Sequence, residues 1–111
     1  FIGTMNMLPG QVAAGRLGAG GFALPVPLAE GEATLAVRPE DFVLGDTGTP
    51  LTVRRLVNLG PYHLAEGEFS DGTAVTVHLD KSSPVREGAV LSVTPRRYAV
   101  YRGGLLAHRS A

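Results

Sequence analysis

Ala33-Thr34-Leu35-Ala36-Val37-Arg38-Pro39-Glu40-Asp41-Phe42-Val43-Leu44 carries the clearest strand signal in the chain. Ala33, Leu35 and Val37 recur at every second position, the period at which side chains of a strand share one face, and Arg38 closes the run on the opposite face. Pro39 lacks the N–H that a continuing ladder needs and holds φ near turn or first-helical values. The sequence therefore predicts one tight turn over Pro39-Glu40-Asp41, with at most a single turn of helix. Phe42-Val43-Leu44 then resumes as a short apolar segment.

Upstream, Met7 to Ala14 reads as a strand with Pro9-Gly10 where an edge or a bulge would tolerate them, which places this strand at a sheet edge. Gly15 to Gly21 reads as a flexible loop. Phe22 to Leu28 extends again, with Pro25 and Pro27 barring it from a central ladder position, and Ala29 to Glu32 turns into the central run. Downstream, Gly45-Asp46-Thr47-Gly48-Thr49-Pro50 reads as a turn. Leu51, Val53, Val57 and Leu59 alternate, and Arg55 interrupts them, which a bulge or a barrel mouth near Arg55 would explain. Tyr62 to Phe69 and Thr73 to Leu79 form a hairpin. A two-residue turn at Asp71-Gly72 would set Glu66 and Glu68 beside Val77 and Val75. A three-residue loop with left-handed Gly72 instead pairs Phe69 with Thr73 and Gly67 with Val75, sending both glutamates outward, and this register is the expected one. Val90 to Thr94 is a strand with Leu91 and Val93 inward, stopped by Pro95. Tyr98 to Tyr101 and Leu105 to Ala107 flank Arg102-Gly103-Gly104 as a last small hairpin, and the final four residues are expected to fray.

Fifteen glycines and eight prolines punctuate short β-rich runs with no amphipathic helix among them. This predicts an all-β fold, an OB-like β-barrel of short, mostly antiparallel strands, and 111 residues suffice for one domain with one core. Ten basic and ten acidic residues cancel. A neutral chain has no electrostatic drive toward nucleic acid or anionic lipid. The absence of cysteine removes disulfides and thiolate chemistry, and no apolar run approaches the roughly 20 residues of a membrane-spanning helix. Phe1-Ile2-Gly3 is neither an initiator methionine nor a signal peptide, so the chain is expected to be a piece of a longer protein.

Intrinsic chemistry is sparse. His63, His78 and His108 stand on different runs without a second ligand at metal spacing. Glu66 and Glu68 share one strand face, whereas acid–base pairs need carboxyls held apart in contrasting environments. Gly15 to Gly21 lacks the lysine and hydroxyl residue of a phosphate-cradling loop, and Lys81-Ser82 lacks its glycine frame. Arg54-Arg55 and Arg96-Arg97 read as solvated faces balanced by nearby acids. No catalytic, metal or cofactor residue emerges.

Two stretches carry a resemblance. Phe1-Ile2-Gly3 followed by Asn6 resembles the Phe-apolar-Gly-x-x-Asn that ends the ATPase core of many ABC-importer ATP-binding subunits. Val37-Arg38-Pro39-Glu40 resembles the Arg-Pro-Glu turn of the domain that follows, the transport-associated OB (TOBE) module. Leu59-Gly60, Asp71-Gly72, Gly88 and Leu91-Ser92-Val93 with Pro95 fall in the same order as in that module. Arg96-Arg97 and Arg102-Gly103 depart from it, standing where acidic residues are usual.

The resemblance implies a single TOBE-like domain over residues 1–111, with 1–6 as the junction from an ATPase domain. The parent would be a transport ATPase on the cytoplasmic, inner face of the cell membrane, working as a homodimer with transmembrane permease subunits and regulated by a small solute or another protein. ATP and Mg would belong to the ATPase domain, and this chain would hydrolyse nothing. A different reading is a small-solute or oxyanion binder using Arg38 or Arg55 with main-chain N–H groups. Arg38, Glu40 and Arg55 are the candidate ligand or interface residues, although Arg38 and Glu40 could simply stabilise their turn. An oligonucleotide-binding barrel would need a basic groove lined with stacking aromatics, which seven scattered aromatics in a neutral chain do not supply.

Overall fold

Pro39 ends one strand and sets the first position of a 3-10 turn, Pro39–Asp41, in the computed structural model, which describes residues 5–110. Before the turn lie β1 (Asn6–Ala13), β2 (Arg16–Ala19), β3 (Phe22–Pro25) and β4 (Gly31–Val37). After it come β5 (Phe42–Asn58), β6 (Tyr62–Phe69), β7 (Ala74–Asp80), β8 (Val90–Pro95), β9 (Ala99–Arg102) and β10 (Leu105–Arg109). Every pairing is antiparallel, in a six-stranded sheet ordered β10-β9-β4-β1-β2-β3 and a four-stranded sheet ordered β7-β6-β5-β8. The chain has an all-β, OB-like fold of curled antiparallel sheets.

The period-two reading of the central run holds. Ala33, Leu35 and Val37 point into the core, and Leu35 stands between its cross-strand partners Leu8 and Val100, all at most 1% exposed. Phe22 packs edge-on to Phe69 at 5.3 Å and stacks with Phe42 at 6.2 Å, joining the two sheets through aromatic contact. One apolar cluster draws on both sheets.

Four sequence expectations are corrected. β1 is central, between β4 and β2. Its ladder with β2 begins at Gly10, so the side facing β2 asks no donor of Pro9. The stretch read as a flexible loop contains β2, because Leu17 and Ala19 alternate inward between tight glycine turns. The turn expected at 45–50 is a bulge within β5, since Leu44 and Thr49 both oppose Val93 and the intervening residues loop out. The C-terminal residues do not all fray: β10 reaches Arg109, and the Ser110 N–H donates to the Tyr98 carbonyl at 2.9 Å. Phe1-Ile2-Gly3 and Ala111 fall outside the described residues.

Two finer expectations are met. The β6–β7 hairpin has the three-residue loop, with the Phe69 N–H donating to Thr73, Gly67 opposite Val75 and Gly72 at φ 89°. The β5–β6 register slips between Val53 and Arg55. The extra residue reverses the parity of β5, so Leu56 packs against the core while Leu59 ends up exposed, which the simple alternation through Val57 and Leu59 did not foresee.

Asn6 manages a sheet edge. Its Nδ2 donates to the Thr76 carbonyl and its Oδ1 accepts from the Thr76 N–H, both at 2.8 Å, so one side chain acts as a strand partner for the free edge of β7. Asn6→Ala should therefore cost about 2 kcal/mol in chemical denaturation, because both Thr76 groups lose partners at a partly buried site. Hydrogen exchange at the Thr76 amide should accelerate beyond the global change. Unaltered protection there would refute the edge-capping role.

Candidate functional site

β4 delivers Arg38 and the turn delivers Glu40 to the rim of a depression of about 450 Å³. The register shows how this face is built. Ala36 opposes Met7 on β1 and Ala99 on β9, and Ala99 opposes Arg109 on β10, so these side chains share the outer face of the six-stranded sheet. Ala36 is only 1% exposed although it points away from Leu35 and Val37, because it forms the floor of this depression. Arg96 and Arg97 come from the β8–β9 connection. Asp41 pairs with Arg96 at 3.6 Å, and its main-chain carbonyl accepts from the Arg96 N–H at 2.7 Å, fastening that connection to the turn.

Arg38 and Glu40 are thus brought together, and Arg55 is not with them. Arg55 lies on the four-stranded sheet in an ion pair with Glu66 at 3.5 Å, beside Arg54, which pairs with Glu68 at 2.8 Å. Both arginines are therefore balanced by nearby acids, as expected, and the acids are Glu66 and Glu68. The side chains of both pairs are 40–66% exposed, so each pair contributes at most about 1 kcal/mol. The residue not legible beforehand is Arg109, whose arrival beside Arg38 depends on the β9–β10 hairpin folding back along β4.

Other chemistry is local. His78 stacks on Tyr62 at 4.3 Å, and among the described residues no group of three or more His, Cys, Asp or Glu side chains is placed to hold a metal ion. Gly18 lies within β2, and Gly20 and Gly21 form the tight β2–β3 turn, so this stretch is no strand-to-helix phosphate loop and does not fit ATP.

Asp71 in the β6–β7 turn is held below its ordinary 3.8 by the Thr73 hydroxyl and then by the Thr73 N–H, which donates to Oδ1 at 2.9 Å. A carboxyl depressed in the folded state contributes stability that is present above pH 3.8 and lost as pH falls through its folded value. An NMR titration should place the Asp71 midpoint below 3.8, with the Thr73 amide shift following it. A midpoint at or above that value would contradict this turn geometry.

Residues 35–101 match the TOBE domain family. The sulfate/thiosulfate import ATP-binding protein CysA of Caulobacter vibrioides is 30% identical over 102 residues, covering 91% of this chain and 30% of that protein. Its namesake in Bradyrhizobium diazoefficiens is 32% identical over 109 residues, covering 93% and 32%. That of Xanthomonas campestris pv. campestris is 35% identical over 107 residues, covering 91% and 31%. The chain spans about a third of the length of the curated relatives it matches.

Proposed function

The chain belongs to the TOBE domain family, and from that premise we propose that it is the regulatory and dimerising domain of the ATP-binding subunit of a solute importer. The observation that carries this reading is the extent of similarity: more than nine-tenths of the chain aligns with about a third of each import ATP-binding protein. The parent would couple ATP hydrolysis to import of sulfate, thiosulfate or a related solute, at the cytoplasmic face of the membrane and together with permease subunits. ATP and Mg²⁺ would bind outside this chain, which itself catalyses nothing. Pairing of two copies would bring together domains whose sites are surfaces.

The molar mass of the chain over a concentration series, with and without sulfate, thiosulfate, polyamines and sugars, tests this. A dimer indifferent to every solute is the expected result. A second reading, a solute-binding module, is favoured by the arginines around the depression. A monomer whose thermal midpoint rises with sulfate would replace the first reading by the second, because a ligand raises that midpoint by binding the folded state.

A further inference from the structure

We propose that the depression over β4, β9 and β10 is the docking site for an acidic segment of a partner protein. The nine arginines of the chain are not all engaged alike. Among the described residues, Arg54, Arg55 and Arg96 are paired with carboxylates. Arg16 donates to the Ala23 carbonyl at 3.2 Å, and Arg102 donates to the carbonyls of Ala29 and Glu32 at 2.8 and 3.0 Å. Four arginines have no such partner among the described residues, and three of them, Arg38, Arg97 and Arg109, line this one depression. Asp41 is taken by Arg96, which leaves Glu40, among the described residues, as the carboxylate that lines the depression with these three guanidinium groups. In a chain of zero formal net charge this is a concentrated local excess.

Size and exposure decide between a small anion and a protein. Sites for a single oxyanion surround it with converging, desolvated donors. Here Arg38, Arg97 and Arg109 are exposed around an open volume of about 450 Å³, room for several side chains. That arrangement suits carboxylates spaced along a chain, each meeting one guanidinium. The floor suits the same occupant, since Ala36 and Ala99 are small and Tyr101, two residues on from Ala99, shares their face. β10 adds an edge strand carrying Leu105 at 74% and Leu106 at 48% exposure, with no proline to block it. An extended segment laid along this edge would meet apolar side chains at one end and Arg109 at the other. The inference uses only the charge and shape of this face, so its failure would leave the transport reading standing.

The test is fluorescence anisotropy of the 111-residue chain with a fluorescein-labelled peptide alternating Glu and Val, beside a Lys and Val control. The acidic peptide should bind, the basic one should not, and added salt should weaken binding. R97A/R109A should weaken it about tenfold, while R54A/R55A on the other sheet should leave it unchanged. The charge-reversed R97E/R109E should take up the basic peptide instead, with melting curves confirming that each variant folds. No binding of the acidic peptide, or equal binding by R97A/R109A, would overturn the proposal. So would a single-stranded oligonucleotide binding more tightly than the peptide, or inorganic sulfate displacing the peptide more strongly than chloride at matched ionic strength.

Discussion

Leu35→Ala is expected to destabilise the folded chain by about 4 kcal/mol, the upper part of the range for removing a fully buried leucine. Leu35 is 0% exposed and stands in a cross-strand row between Leu8 and Val100, in the middle of the six-stranded sheet. Three rows of backbone hold the surrounding side chains, so the site collapses poorly around the lost methyl groups and most of the cavity persists. The thermal midpoint should fall by more than about 10 °C. Thr34→Ala, one residue away on the opposite face, should stay within about 0.5 kcal/mol. Equal losses for the two would mean that the alternation of β4 does not define the core. Because Ala36 is the floor of the arginine-lined depression, destabilising β4 should also weaken whatever binds there.

Gly67→Ala is expected to cost about 3 kcal/mol for the opposite physical reason, overpacking. Gly67 faces inward on β6 opposite Val53, next to the bulge that reverses the parity of β5. A Cβ there would collide with the Thr52 carbonyl and press on the Leu51 side chain at 3.2 Å. Backbone cannot step aside as a flexible side chain would, so β5 and β6 would have to separate, loosening the Arg54–Glu68 and Arg55–Glu66 pairs that span them. Gly45→Ala is the matched control. Its Cβ would meet only the Thr47 carbonyl at an ordinary 3.8 Å, and a change within about 0.5 kcal/mol is expected. If both substitutions were equally mild in chemical denaturation, the close approach of β5 and β6 at Gly67 would be disproved.

The candidate site was legible in part. Arg38 and Glu40 were identifiable because Pro39 fixes a turn between them, and a turn presents its neighbours in a predictable way. Arg55 was identifiable as an interruption of alternation, yet it belongs to the bulge and its ion pair and lies away from Arg38. Arg97 was visible only as one of a pair of basic residues, and Arg109 sat in a tail expected to fray. Neither carries a local signal of a shared site, because what joins them to Arg38 is the pairing of β4 with β9 and of β9 with β10.

Local chemistry along the chain determined the strand alternation of Ala33 to Val37, the proline-led turn after Arg38, the three-residue β6–β7 loop and the all-β class. Each follows from side-chain period or from the φ preferences of proline and glycine, which act within a few residues. Only the tertiary structure decided that β1 is central, that Asn6 caps the edge of β7, that β5 runs on through a bulge, and that Arg38, Arg97 and Arg109 line one depression. Those outcomes depend on which strands lie side by side. Register between distant strands is set by packing and hydrogen bonding across tens of residues, and no local pattern encodes it.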